Sequence, residues 1–115
     1  MLDINSTTNS IMLTRGDSAE ITVAFTDSEG NPYDASGDTV KFGVKRSAFD
    51  AECVLEKTIE NGKITFTPDD TKNMEYGDYL YDVEITHVDD SGEEPVTSVW
   101  TPIAAARFSL GYNVL

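Results

Sequence analysis

Tyr76-Gly77-Asp78-Tyr79-Leu80-Tyr81-Asp82-Val83-Glu84-Ile85-Thr86-His87 is the stretch on which the fold turns. Tyr79, Tyr81, Val83 and Ile85 alternate with Leu80, Asp82, Glu84 and Thr86. Side chains of a strand point to opposite faces in turn, so the first set is placed inward and the second, Leu80 apart, outward. The stretch is long, aromatic and β-branched, which suits the centre of a sheet.

Moving back from it, Pro68 to Met74 reads as a short helical turn or arch, with Pro68 favouring its start. Lys63 to Thr67, with Ile64 and Phe66 inward, and Cys53 to Glu60, with Leu55 and Ile59 inward, flank Asn61-Gly62. That dipeptide is the strongest hairpin signal in the chain, because both residues accept positive φ. Thr39 to Arg46 is a strand with Val40, Phe42 and Val44 inward. Its outward Lys41 and Lys45 fit either a protected edge or pairing with Asp82 and Glu84. Ala19 to Asp27 is a strand with Ile21, Val23 and Phe25 inward. Ser28-Glu29-Gly30-Asn31-Pro32 after it reads as a tight turn, since Gly30 is misplaced for a calcium-binding EF-hand loop. Ile11 to Thr14 is a short strand, and Arg15-Gly16-Asp17-Ser18 a turn whose match to an integrin-binding tripeptide is a chance one.

Moving forward, Val88 to Pro95 reads as an acidic hairpin loop. Val96 to Trp100 opens the last strand. Pro102 interrupts it, which marks an edge or a bulge, because proline donates nothing to a ladder. Ala104, Ala106, Phe108 and Leu110 then share one face. Short strands separated by turn signals every ten residues or so predict an all-β domain, an antiparallel immunoglobulin-like β-sandwich of about seven strands. The expected domain spans residues 11–110, with a loose arm over 1–10 and a tail over 111–115. Tyr79, near the start of its strand, is the expected tyrosine whose hydroxyl caps the preceding arch.

The chain has 115 residues, 21 acidic and 8 basic, for a net charge of −13. One domain is expected, burying roughly two-thirds of its unfolded surface. The acidic balance argues against nucleic-acid partners and against anionic membrane surfaces. It favours solubility and opposes self-association. Cys53 is the only cysteine, so no internal disulfide forms, which fits a reducing compartment. Met1-Leu2-Asp3-Ile4-Asn5 has neither the basic nor the apolar segment of a secretory signal, and the sequon Asn5-Ser6-Thr7 is read as chance.

Catalytic and metal signatures are weak. His87 is the only histidine, so a triad or a Cys53–His87 pair would have to be built on it. Zinc wants three or four Cys and His ligands at close spacing. The pairs Asp69-Asp70, Asp89-Asp90 and Glu93-Glu94 fall in loops, away from any shared cleft. No catalytic residue, metal or cofactor is therefore expected. Tyr33, Tyr76, Trp100 and Tyr112 are candidates for a sugar-stacking or protein-binding platform. Trp100 and Tyr112 are the residues expected to contact a partner, because aromatics anchor interfaces.

In order, Gly16-Asp17, Ile21-Thr22-Val23-Ala24-Phe25, Asp27-Ser28-Glu29-Gly30-Asn31-Pro32, Ser36-Gly37-Asp38-Thr39-Val40-Lys41-Phe42, Gly77-Asp78-Tyr79-Leu80-Tyr81-Asp82-Val83, Thr101-Pro102-Ile103 and Arg107-Phe108 resemble the N-terminal domain of phage baseplate upper proteins and similar small phage tail modules. The resemblance implies a non-enzymatic structural or adaptor role in a phage or prophage tail, through contacts with other tail or baseplate proteins. It implies assembly in the bacterial cytoplasm and residence in the virion. In isolation the expected state is a monomer or weak homo-oligomer. The alternative from another class is a bacterial immunoglobulin-like binding module for a ligand such as a carbohydrate.

Overall fold

A computed structural model describes residues 2–5 and 8–112. Among them run ten strands and one helical turn. They are β1 (Leu2–Asn5), β2 (Ser10–Thr14), β3 (Ala19–Thr22), β4 (Phe25–Thr26), β5 (Pro32–Tyr33), β6 (Thr39–Lys45), β7 (Leu55–Thr58), β8 (Lys63–Phe66), α1 (Pro68–Thr71), β9 (Gly77–Asp89) and β10 (Val96–Gly111). The chain is all-β. Six strands form one sheet in the order β1-β2-β10-β9-β6-β7, while β3 pairs with β8 and β4 with β5.

The alternation of the Tyr76–His87 stretch holds throughout. Tyr79, Tyr81, Val83 and Ile85 are buried, and β9 lies between β10 and β6 at the centre of the large sheet. Val40 pairs with Ile85, Phe42 with Val83 and Val44 with Tyr81, so β6 adds its own inward set to the same face. Ile11, Leu13, Phe108 and Leu110 extend that face across β2 and β10. The β3–β8 ribbon covers it with Ile21, Ile64 and Phe66. Phe42 sits where the two meet. Its ring lies 5.6 Å from Phe66, 5.1 Å from Tyr81 and 6.0 Å from Phe108, centroid to centroid.

Several expectations are met in detail. The Tyr79 hydroxyl donates to the Glu75 carbonyl at 2.7 Å, capping the arch that leads into β9. Asn61 and Gly62 both have positive φ, and Glu60 pairs with Lys63 across them. The loop after β4 is a tight turn, in which the Asp27 carboxylate accepts from the Glu29 and Asn31 amides. In the arch, the Thr67 amide donates to Asp70 Oδ2 at 2.8 Å, and Lys57 on β7 meets the same oxygen at 2.7 Å.

Others are corrected. The sheet is mixed, not antiparallel throughout, because β2 runs parallel to β10. The single strand expected over Ala19 to Asp27 is two: β3 pairs with β8, and β4 with β5. The Asn61-Gly62 turn does not zip its flanking strands into a ladder. Ile59 donates to Val40 on β6, while Ile64 pairs with Ile21 on β3, so the turn carries the chain from one sheet to the other. Leu2 to Asn5, expected as a loose arm, pairs with β2. β6 is not an edge, and Lys41 stands opposite Glu84 in register. Pro102 does fall at an irregularity. The β9–β10 register shifts between Trp100 and Ile103 and again before Ala106. Ala104, expected inward, is turned out by that shift. Of the expected tail, Gly111 closes β10, and Asn113 to Leu115 lie outside the described residues. So do Ser6 and Thr7 of the sequon.

Candidate functional site

Trp100, on β10, and Tyr112, just past the end of that strand, are the two expected partner residues, and they do not lie at the same place. Twelve residues separate them, roughly 40 Å of extended chain. Each sits in its own aromatic pair. Trp100 is 37% exposed and meets Tyr33 edge-on, with ring centroids 5.6 Å apart. Tyr112 is 79% exposed and its ring centroid lies 4.2 Å from that of Tyr76, over whose ring the Arg15 guanidinium sits 4.0 Å from the centroid. The four aromatics therefore do not form one platform.

Trp100 belongs to a polar cluster that the sequence pattern did not single out. Register places Trp100 opposite Ile85 and Ser98 opposite His87, so His87, Ser98 and Trp100 continue the inward face beyond the core. There β5 and the turn before β6 reach over them. The Asp38 carboxylate accepts from the Tyr33 hydroxyl at 2.5 Å through Oδ2, and meets His87 Nδ1 at 2.6 Å through Oδ1. The Asp38 side chain is 3% exposed, whereas that of His87 is 45% exposed. The Tyr33 hydroxyl, then His87, hold the Asp38 carboxyl below its usual range. The same hydrogen bond, followed by burial, pushes the Tyr33 hydroxyl up to about 12. The Asp38 hydrogen bond raises the His87 imidazole above its ordinary value. An ionised carboxylate only accepts, so Nδ1 of His87 carries the proton and donates.

The arrangement is a clamp. One buried carboxylate ties a residue of β9 to a residue of β5, and the Tyr33 ring braces Trp100 on β10. It fixes the β4–β5 pair against the base of the β9–β10 hairpin. A Ser-His-Asp relay would need Ser98 bonded to the far nitrogen of His87, and no such bond exists among the described residues. The Cys53–His87 pair is ruled out by position. Cys53 packs against Gly43, where an added Cβ would lie 3.0 Å from its sulfur, on the outer face of β6. His87 is on the inner side and, counted from Asp82 opposite Gly43, roughly 16 Å further along β9. Burial, then Glu56, raises the Cys53 thiol, the reverse of what activates a nucleophile.

Beside the clamp lies a cleft of about 610 Å³ between the β4–β5 pair and the Asn61-Gly62 turn, lined by Phe25, Tyr33, Asp38, Val40, Ile59 and Glu60 among others.

Beyond the clamp the two strands continue alone. β6 pairs with β9 only as far as Thr86, so His87 to Asp89 and Val96 to Ser98 form a two-stranded arm. Val88 and Val96 on it, and Val99 at its base, are exposed. The arm contributes to a long molecule, 56 × 30 × 22 Å. β2 covers the other side of β10 only from Phe108 to Gly111. No family model, curated protein or solved structure matches the chain.

Proposed function

We propose that this chain is a non-enzymatic structural or adaptor module of a phage or prophage tail or baseplate, working by protein–protein contacts. On this reading the β3–β8 ribbon and the large sheet are the two layers of an immunoglobulin-like sandwich. The protein is assembled in the bacterial cytoplasm and resides in the virion. The observation that carries an interaction role is the projecting β9–β10 arm, with exposed valines and a braced, part-exposed Trp100 at its base. Exposed valines on a strand pair anchored at its base by the clamp offer an assembly contact apolar surface to cover. The order of turn and strand motifs shared with baseplate modules supplies the tail assignment. The −13 charge supports a partner that is neither nucleic acid nor membrane, and a chain that alone is monomeric or weakly associated.

The test is composition of the particle. Phage or induced prophage particles purified from the encoding cell contain the chain at a fixed ratio to tail proteins, as measured by quantitative mass spectrometry. Particles lacking it refute the assignment. A carbohydrate-binding module is the second reading, favoured by the Tyr33–Trp100 pair beside the cleft. Glycan-array binding abolished by Trp100→Ala would favour it over the first.

A further inference from the structure

We infer that the unpaired edge of β10 from Val96 to Thr101 is a strand-addition site, and that its occupant is a β-strand of another protein flanked by Lys or Arg. The inference rests on the interaction role above and names its mode and its chemistry.

Among the described residues, Val96 to Trp100 pair with β9 on one side, and Val96 to Thr101 pair with nothing on the other. Six residues span roughly 20 Å, the length of an ordinary strand, and offer an incoming strand a row of free amides and carbonyls. Natural edges are blunted by lysine, proline or a bulge. This one carries none of these from Val96 to Trp100; the irregularity and Pro102 come only after it. Side chains alternate along it: Val96, Ser98 and Trp100 on the inner face, Thr97 and Val99 on the outer. An added strand would therefore cover apolar surface on both faces. The outer strands of the large sheet, β1 and β7, are poorer, and β9 leaves only Gly77 to Tyr79 and His87 to Asp89 unpaired on its β6 side. β1 and β7 have four residues each, and β7 carries Lys57, already paired with Asp70.

Charge selects the occupant. The sequence holds no Lys or Arg between Lys72 and Arg107, while Asp89, Asp90, Glu93 and Glu94 crowd the tip of the arm. A second copy would bring like charges together, which opposes edge-to-edge self-pairing. A strand with basic flanks gains attraction on approach and along the edge.

The probe is a synthetic peptide of alternating valine and threonine with two lysines at each end, titrated into isotopically labelled protein. The expected result is slowed amide exchange within Val96 to Thr101, with affinity falling as salt rises. The double variant Thr97→Lys, Val99→Lys weakens binding at least tenfold. Both positions are exposed and outward, and unchanged methyl shifts in the core verify that it folds. Four outcomes overturn the inference. They are protection on β1 or β7, no protection at millimolar peptide, equal binding of a peptide with glutamates in place of the lysines, and edge protection that grows with protein concentration alone. Absence of the chain from tail particles sinks the tail assignment and leaves the peptide result standing. Presence there with Val96 to Thr101 unprotected by peptide sinks the strand-addition site alone.

Discussion

Phe42→Ala is the sharpest test of how the layers are joined. Phe42 is fully buried, and its ring touches one aromatic from β8, one from β9 and one from β10. A buried phenylalanine removes about 150–250 Å² from water. At ~25 cal/mol per Å², and allowing for the Cβ that alanine keeps, the change loses about 3–5 kcal/mol, the range found for Phe→Ala in packed cores. That is a large share of the roughly 5–15 kcal/mol by which domains are stable. For a domain of this size the midpoint of melting drops by roughly 12–30 °C. The assay is urea unfolding followed by circular dichroism, with slope and midpoint fitted together. The midpoint falls and the slope stays, because the surface exposed on unfolding is nearly unchanged. A loss under about 1 kcal/mol at constant slope would refute the placement of Phe42 at the junction, because a ring with that burial leaves a cavity.

Trp100→Ala costs less, about 1–2 kcal/mol, since its ring is part-exposed and loses one edge-on partner; equal loss to Phe42→Ala in the same assay would make Trp100 a core residue. Histidine NMR titration places the His87 pKa above its ordinary value, and Asp38→Asn returns it toward about 6.5. The sign follows from linkage: the stabilisation by His87 is complete below its unfolded pKa and fades as pH rises through the elevated folded value, whereas that of Asp38 is present above its ordinary range and fades as pH falls through its lowered one. Thermal melts across pH check both limbs, and a His87 titration unmoved by Asp38→Asn would break the clamp. Gly62→Ala is more damaging than Gly30→Ala: both have positive φ, which costs about 1–2 kcal/mol with a side chain, but only at Gly62 does the new Cβ crowd a backbone oxygen, that of Val23 at 3.1 Å. Melts of the two variants decide it.

Legibility tracked locality. The alternation in Tyr79 to Ile85 and in Val40 to Val44 named seven of the fifteen buried core residues among those described, because burial on one face imposes period two. Asn61-Gly62 was legible as a turn because its φ demand is carried by two adjacent residues. Where its strands went was not, since partner choice lies with Val40 and Ile21, both remote in sequence. Ala104 shows the same limit: its face is set by a shift in register at which the Ala105 amide donates to the Asp82 carboxylate, 23 residues away. The clamp was the hardest to see. Tyr33, Asp38 and His87 come from two regions, and a lone histidine beside acids has no periodic signature. Trp100 was singled out as a candidate by its chemistry, yet its brace by Tyr33 and its distance from Tyr112 required coordinates.

The parallel pairing of β2 with β10 has a kinetic consequence. Ile11 and Leu13 are buried only once Phe108 to Gly111 lie beside them. During synthesis nearly a hundred residues emerge before that pairing exists, and the early strands wait as a hairpin with one face bare. Closing so long a loop is slow, because its entropy is lost before the contacts form. In this chain, the interval between translating β2 and translating β10 is when aggregation competes with folding, and a binding chaperone would have its opportunity there.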